Sequence, residues 1–154
     1  MLNEKLMDYN MWEATVPAVI RNDVLWKQKV YRLGLYVAEI GWQDVSKLVK
    51  DRRTISIADQ LNRALGSISA NIAEGYSRGS GKDRCRFYEY ALGSAREARD
   101  WYYKARHILG EDEVLERMEQ LSQIARLLLT MLPSERDIAF REDQGTYEVG
   151  SEHK

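Results

Sequence analysis

From Val30 onward, apolar residues recur every three or four positions, the period of a helix that buries one face. Val30, Leu33, Val37, Ile40, Gly41, Val45 and Leu48 define a first long helix, with Trp26 and Trp42 widening its seam and Asn22 or Asp23 as its N-cap. The period is lost in Lys50-Asp51-Arg52-Arg53-Thr54. A second helix is predicted from about Ile57 to Ser77, carried by Leu61, Leu65, Ile68 and Ile72. Gly79-Ser80-Gly81 then predicts a tight turn, with Ser80 and Asp83 spaced as a capping box in which Asp replaces Glu. The third helix, Lys82 to Leu109, places Phe87, Ala91, Ser94, Ala98, Trp101, Tyr102, Ala105, Ile108 and Leu109 on one face. Gly110 closes it, and Glu111, Asp112 and Glu113 suit the positive end of the next helix dipole. A fourth helix follows on Leu115, Met118, Leu121, Ala125, Leu128 and Leu132, and Pro133 is expected to stop it.

Three regions follow: a lead-in over 1–22, a helical domain over 23–133, and a polar, mobile tail over 134–154. In the lead-in, Leu2, Leu6, Met7, Met11, Trp12, Val16 and Ile20 predict a short helix before Pro17 and an extended connector after it. Four helices on short turns read as an all-α, antiparallel up-down four-helix bundle. Small residues in the seams (Gly66 and Ala73; Ala91, Ala95, Ala98 and Ala105) permit close backbone approach. Helices that stay apolar beyond one face, as at Leu127-Leu128-Leu129, predict burial between subunits and hence a homo-oligomer.

Composition narrows the setting. The 154 residues contain two prolines, both near the ends, which leaves the middle free of strong helix breakers. A charged fraction of 31% and a mean hydropathy of −0.52 mark a soluble chain, with no segment apolar enough to span a bilayer and no signal-peptide core. The single cysteine, Cys85, fits a reducing cytoplasm and reads as a half-buried packing residue.

Charge is segregated: residues 20–110 carry 17 Lys/Arg against 10 Asp/Glu, whereas the rest carries 6 against 14. A basic body with an acidic final third is what a chain offering one cationic face to a polyanion would show. Charges paired along the helices would give the same count. Arg78, Lys82, Arg84 and Arg86 surround the second turn, Arg96, Arg99, Lys104 and Arg106 line the outer face of the third helix, and Arg52 and Arg53 lie in the first loop. Tyr88 and Tyr103 fall on the same outer side. Arginine beside exposed tyrosine suits phosphate contact with base stacking.

A second polar stripe lies on the second helix. At about 100° per residue, Arg63, Ser67, Asn71 and Glu74 cluster roughly a third of a turn from the apolar stripe. Short side chains beside one Arg and one Glu predict a hydrogen-bond network at a helix junction, which Ser94 and Glu97 of the third helix would complete.

Catalytic constellations fail on spacing. A di-metal carboxylate site needs Glu-x-x-His pairs, but Lys104 stands three before His107 and His153 lies in the tail. Gly75 to Lys82 is one residue too long for a phosphate loop, follows a helix, and has Asp83 where Ser or Thr must hold Mg²⁺. Glu74 and Glu97 lie on adjacent helices, yet Arg78 on one side and Arg96 and Arg99 on the other favour structural pairing over acid–base work. No Ser-His-Asp or Cys-His arrangement can be assembled. No catalytic residue, metal or cofactor is assigned.

Gln60-Leu61, Arg63-Ala64, Ser67-Ile68-Ser69-Ala70-Asn71-Ile72-Ala73-Glu74-Gly75 and Arg78, followed by Arg86-Phe87, Ala91-Leu92-Gly93-Ser94 and Glu97, closely resemble the four-helix proteins first found encoded in bacterial 23S rRNA intervening sequences, the S23-like family. The resemblance spans about residues 24–132. It implies an antiparallel bundle assembling as a homopentameric barrel, a fold shared with accessory variability proteins of diversity-generating retroelements, which are basic pentamers that bind a reverse transcriptase and nucleic acid. The Phe-Pro loop common in that family is replaced here by Lys50-Asp51-Arg52-Arg53-Thr54-Ile55-Ser56, and the lead-in and acidic tail fall outside the shared region.

The expectation is therefore a non-enzymatic, cytoplasmic oligomer that binds structured RNA or RNA–DNA as a scaffold or accessory to an element-encoded protein such as a reverse transcriptase. A protein–protein adaptor without nucleic-acid affinity is the alternative, and an enzyme using Glu74 and Glu97 a third.

Overall fold

The computed structural model describes residues 8–151, the side chains of 146–151 excepted; the apolar positions Leu2, Leu6 and Met7 and the tail residue His153 lie outside the described residues. Every regular element among the described residues is helical, as the apolar period requires. Two short helices, α1 (Tyr9–Thr15) and α2 (Ala18–Arg21), and a 3-10 turn over Val24–Lys27 precede four long helices. These are α3 (Lys29–Leu48), α4 (Ile55–Tyr76), α5 (Gly81–Lys104) and α7 (Glu111–Ser151), with the one-turn α6 (Arg106–Leu109) between the last two. The chain after Pro17 is helical, not extended, because the Pro17 carbonyl accepts the first amides of α2. Asp23 caps the 3-10 turn by accepting from the Leu25 amide at 2.8 Å, so α3 begins only at Lys29.

Sequential packing organises the molecule. α4 lies against α3 and α5, and α5 lies against α7, while α3 and α7 meet only lightly. Leu61, Leu65, Ile68 and Ile72 of α4 are buried, as are Val37, Leu48, Tyr102, Leu121, Ile124 and Leu128. A second, aromatic cluster forms where α1 folds onto α3: Trp12, Val16, Tyr36 and Ile40 are buried, with Tyr9 edge-on to Tyr36 at 5.4 Å between centroids. Trp26 joins this cluster, but Trp42 is 69% exposed and widens no seam.

Glycine supplies the close approach, though not at the expected position. Gly66 faces open space, whereas a Cβ on Gly34 would stand 3.3 Å from the Ser69 amide of α4. Gly110 adopts φ +94° and ends α6 as expected, since that conformation favours glycine. α5 itself ends at Lys104, one turn before Leu109, with a break at Ala105. Its Ser80 cap accepts from the Asp83 amide at 3.2 Å. Its buried face includes Tyr88 at 2% exposure, so Tyr88 is a core residue and not an outer one. Leu128 is fully buried within this chain, Leu127 half-buried and Leu129 45% exposed, so only part of that run is free to meet a second subunit.

Pro133 does not stop α7. Proline inside a helix forfeits one hydrogen bond and clashes with the preceding turn, at a cost of roughly 3 kcal/mol. Docking beyond it opposes that cost. Glu135 binds Arg84 at 2.7 Å, Glu142 accepts from the Gly81 amide at 2.9 Å, and Arg136 pairs with Glu89 at 2.9 Å. Residues 134–142 therefore continue α7 past the proline and lie against the start of α5.

Candidate nucleic-acid interface

The predicted cations separate into three groups. At the α4–α5 turn, Arg78 pairs with Glu74 one helical turn back and lies over the Phe87 ring at 4.9 Å, with Arg86 over the same ring at 5.2 Å. Arg86 also stands 3.7 Å from Asp83. Lys82 is exposed and makes no ion pair among the described residues. Arg84 is different. Its side chain is 19% exposed, bound to Glu135, and donates at 3.0 Å to the Arg78 carbonyl. The Glu135 hydrogen bond holds the Arg84 pKa above its ordinary value. As the molecule stands, Arg84 is not part of an open cationic face.

At the opposite end, Arg53 is engaged by Asp51 at 2.6 Å, and that guanidinium holds the Asp51 carboxyl down at about 2. Arg52 is exposed beside it. Lys104 pairs with Asp100 at 2.7 Å and lies over Trp101 at 4.5 Å.

The third group forms a continuous flank. Arg96, Arg99 and Tyr103 follow one another at steps of three and four along α5 and therefore share a side, and Arg106, which opens α6 after the break at Ala105, stays on that side by its contact with Tyr103. Arg99 donates to the Ser122 hydroxyl at 3.1 Å, which places this side against α7. Arg106 lies 4.1 Å from the Tyr103 ring centroid, within cation–π range, and donates to the Tyr103 carbonyl. Tyr103 is 52% exposed. Arg126, one turn beyond Ser122 and exposed, extends the flank from α7. The sequence reading missed Arg126 because only packing brings α7 beside this face of α5. Near the α5–α7 connection the flank opens into a groove of about 300 Å³ lined by Tyr103, Arg106, Glu111, Val114, Leu115 and Met118.

The predicted motif network is assembled only in its centre. Ser67 donates to Ser94 across the α4–α5 junction at 2.7 Å, and Asn71 donates to the Ser67 carbonyl at 2.8 Å. Arg63 instead pairs with Asp59 at 3.3 Å, Glu74 with Arg78, and Glu97 accepts from the Trp101 indole at 3.2 Å. Each of these three is exposed and finds its partner four residues away along the chain, where contact is easy. Glu74 and Glu97 thus have separate partners and share no proton.

A buried polar cluster went unread. Asp44 of α3 accepts from both Tyr102 of α5 at 2.7 Å and Arg117 of α7 at 2.8 Å. Asp44, Tyr102 and Arg117 are 4%, 1% and 2% exposed. Burial lowers the Arg117 pKa, but the Asp44 hydrogen bond and charge more than offset this and hold it above its ordinary value. Burial, reinforced by Asp44, pushes the Tyr102 phenol well up. The signal was present: Arg117 occupies a seam position between Val114 and Leu121, and Asp44 one between Ile40 and Leu48.

Burial also pushes the Cys85 thiol up, the reverse of what a nucleophile needs. His107 is exposed. Among the described residues, no three of His, Cys, Asp or Glu converge on a metal-sized site, and no helix is long and apolar enough to cross a membrane.

Comparison with known proteins places this arrangement. No curated protein is significantly similar in sequence. A solved structure from Bacteroides thetaiotaomicron VPI-5482, a protein of unknown function from the S23 ribosomal protein family, superposes with a TM-score of 0.63 at 22% identity, covering 67% of this chain and 97% of the other. That likeness establishes the fold. The model of the 23S rRNA-intervening sequence protein family matches residues 27–130, which include the Asn71-Ile72-Ala73-Glu74-Gly75 block and the whole Arg96–Arg106 flank; the chain belongs to that family.

Proposed function

We propose that this chain is a non-enzymatic, cytoplasmic scaffold that binds structured RNA or RNA–DNA along the α5–α7 flank. The observation that carries the reading is the alignment of Arg96, Arg99, Arg106 and Arg126 on one side of two packed helices, with Tyr103 exposed among them. Guanidinium forks suit phosphate oxygens, and an exposed phenol ring offers a stacking surface that tolerates any base. The family's association with a 23S rRNA intervening sequence supports RNA as the polyanion. We further propose that the four long helices act as an antiparallel bundle that assembles into a homopentamer. Its contact face is the outer α4–α5 surface, where Ala70, Gly93 and Tyr90 are exposed around the Ser67–Ser94 bond. In a mobile or retroelement-type system, such an oligomer would serve an element-encoded protein such as a reverse transcriptase.

Fluorescence anisotropy of a labelled structured RNA at several salt concentrations tests the reading. Affinity should fall linearly in log salt, with a slope of about 0.7–0.9 per neutralised phosphate. Reversing Arg96, Arg99 and Arg106 to Glu should lower affinity by about tenfold or more and flatten that slope. Unchanged affinity in a triple variant of unchanged oligomeric mass would reject the flank. Absence of binding even at low salt would favour a protein–protein adaptor, for which the largely apolar groove at Val114, Leu115 and Met118 is the supporting observation.

A further inference from the structure

We propose that residues 134–145 of α7 form an acidic cover over a second polyanion-contact surface, the first turn of α5, and that this surface is open to nucleic acid only when the cover lifts. The inference rests on the nucleic-acid reading above and adds a regulated second contact to it.

The cover lies beyond the family-matched region, which ends at residue 130, and begins after Leu132, the last residue of α7 that is buried among those whose side chains are described. It carries Glu135, Asp137, Glu142 and Asp143 against Arg136 and Arg141. Two of its four carboxylates are spent on α5. Glu135 and Arg84, 18% and 19% exposed, meet at 2.7 Å, and Glu142 accepts from the Gly81 amide at 2.9 Å. These donors, an arginine fork and a helix's first amide, are the groups phosphate oxygens use. Covered, Arg84 is lost to a polyanion. Uncovered, it joins Arg78, Lys82 and Arg86, four cations within nine residues at the turn.

The attachment is close but limited. An added Cβ on Gly81 would stand 2.8 Å from the Ala139 amide nitrogen and from the Glu135 carbonyl oxygen. Glycine is therefore required there for the cover to seat. Along the cover only Glu135, Ile138 and Ala139 are half-buried; the other residues, Phe140 at 65% included, are exposed. Pro133 interrupts the helical hydrogen bonding at the joint. A segment with few buried contacts, hinged at a broken hydrogen bond, opens at lower free energy than the core it rests on.

The same anisotropy assay tests this on the full-length chain. Gly81→Ala pushes the cover off without changing charge, and the pair Glu135→Gln and Glu142→Gln releases its two carboxylate holds, leaving only the solvent-exposed Arg136–Glu89 pair. The pair Asp137→Asn and Asp143→Asn changes charge equally but touches neither hold. Both releasing variants should bind RNA about five- to tenfold more tightly and steepen the salt slope by about one phosphate, while the control pair stays within about twofold of the parent. Equal binding by parent, releasing variants and control would overturn the cover while leaving the flank intact. No binding by any of them at low salt would overturn both. Thermal melting of each variant separates opening of the cover from loss of fold, and the glutamine pair carries the test should Gly81→Ala not fold.

Discussion

Asp44, Tyr102 and Arg117 join three helices through one carboxylate oxygen in an apolar interior. Their removal should be sharply asymmetric. Arg117→Met alone strands the Asp44 charge and is expected to cost about 3–5 kcal/mol, as breaking a buried pair does. Asp44→Leu combined with Arg117→Met replaces both charges by apolar volume and should restore most of that loss. Urea unfolding of the single and double variants checks this. Equal destabilisation by both would mean the cluster contributes shape and not charge compensation. Sequence made half of this visible. A charged residue at an apolar seam position is readable, but which charge meets which depends on helices brought together from positions 44, 102 and 117. The same limit explains Arg63, Glu74 and Glu97: the stripe was readable, while the preference of each for a partner four residues away was decided by reach.

Among the helices, the α3–α4 pair shows what spacing conveys and what it conceals. The apolar period located α4 to within two residues at each end and the end of α3, but the cap expected at Asn22 or Asp23 came five or six residues early. The small-residue seam pointed to Gly66 for close packing. Gly34 and Gly41 of α3 are the positions that face α4: an added Cβ would stand 3.2–3.3 Å from Ile68 and Ser69 at Gly34, and would run into a Leu65 methyl at Gly41. Gly34→Ala must push the helices apart or distort Ser69, and should destabilise by about 1–3 kcal/mol as overpacking does. Gly66→Ala, which meets nothing within the single chain, should instead stabilise the isolated subunit by roughly 0.5–1 kcal/mol through helix propensity. Thermal melts of the two variants should move in opposite directions. α7 taught the converse lesson. Pro133 read as a stop because local geometry says so, but Glu135, Ala139 and Glu142 recur at three and four residues and dock the helix onto α5.

At the scale of the whole molecule, two buried phenols set an alkaline limit. Burial raises Tyr88 to about 12 and Tyr102 well above its ordinary 10.0. Both are neutral when folded, whereas the unfolded chain ionises them near 10, so deprotonation favours unfolding. Stability should hold up to about pH 10 and then fall by about 1.4 kcal/mol per pH unit for each tyrosine, with the Tyr88 share ending near pH 12. Denaturant unfolding from pH 9 to 12 checks the sign; a flat profile would mean the hydroxyls are not sequestered. By itself the sequence determined the helical class, the four long apolar periods, the caps at Ser80 and Gly110, and the Asn71-Ile72-Ala73-Glu74-Gly75 block that marks the family. These are local or periodic properties, fixed by spacing along one chain. Tertiary structure decided which arginines stay open. Arg84 is neutralised by Glu135 from 51 positions away, and Arg126 is brought beside the Arg99 flank by the packing of α7 on α5. Charge and burial at a surface depend on which helix lies alongside, and that is a property of the assembled fold.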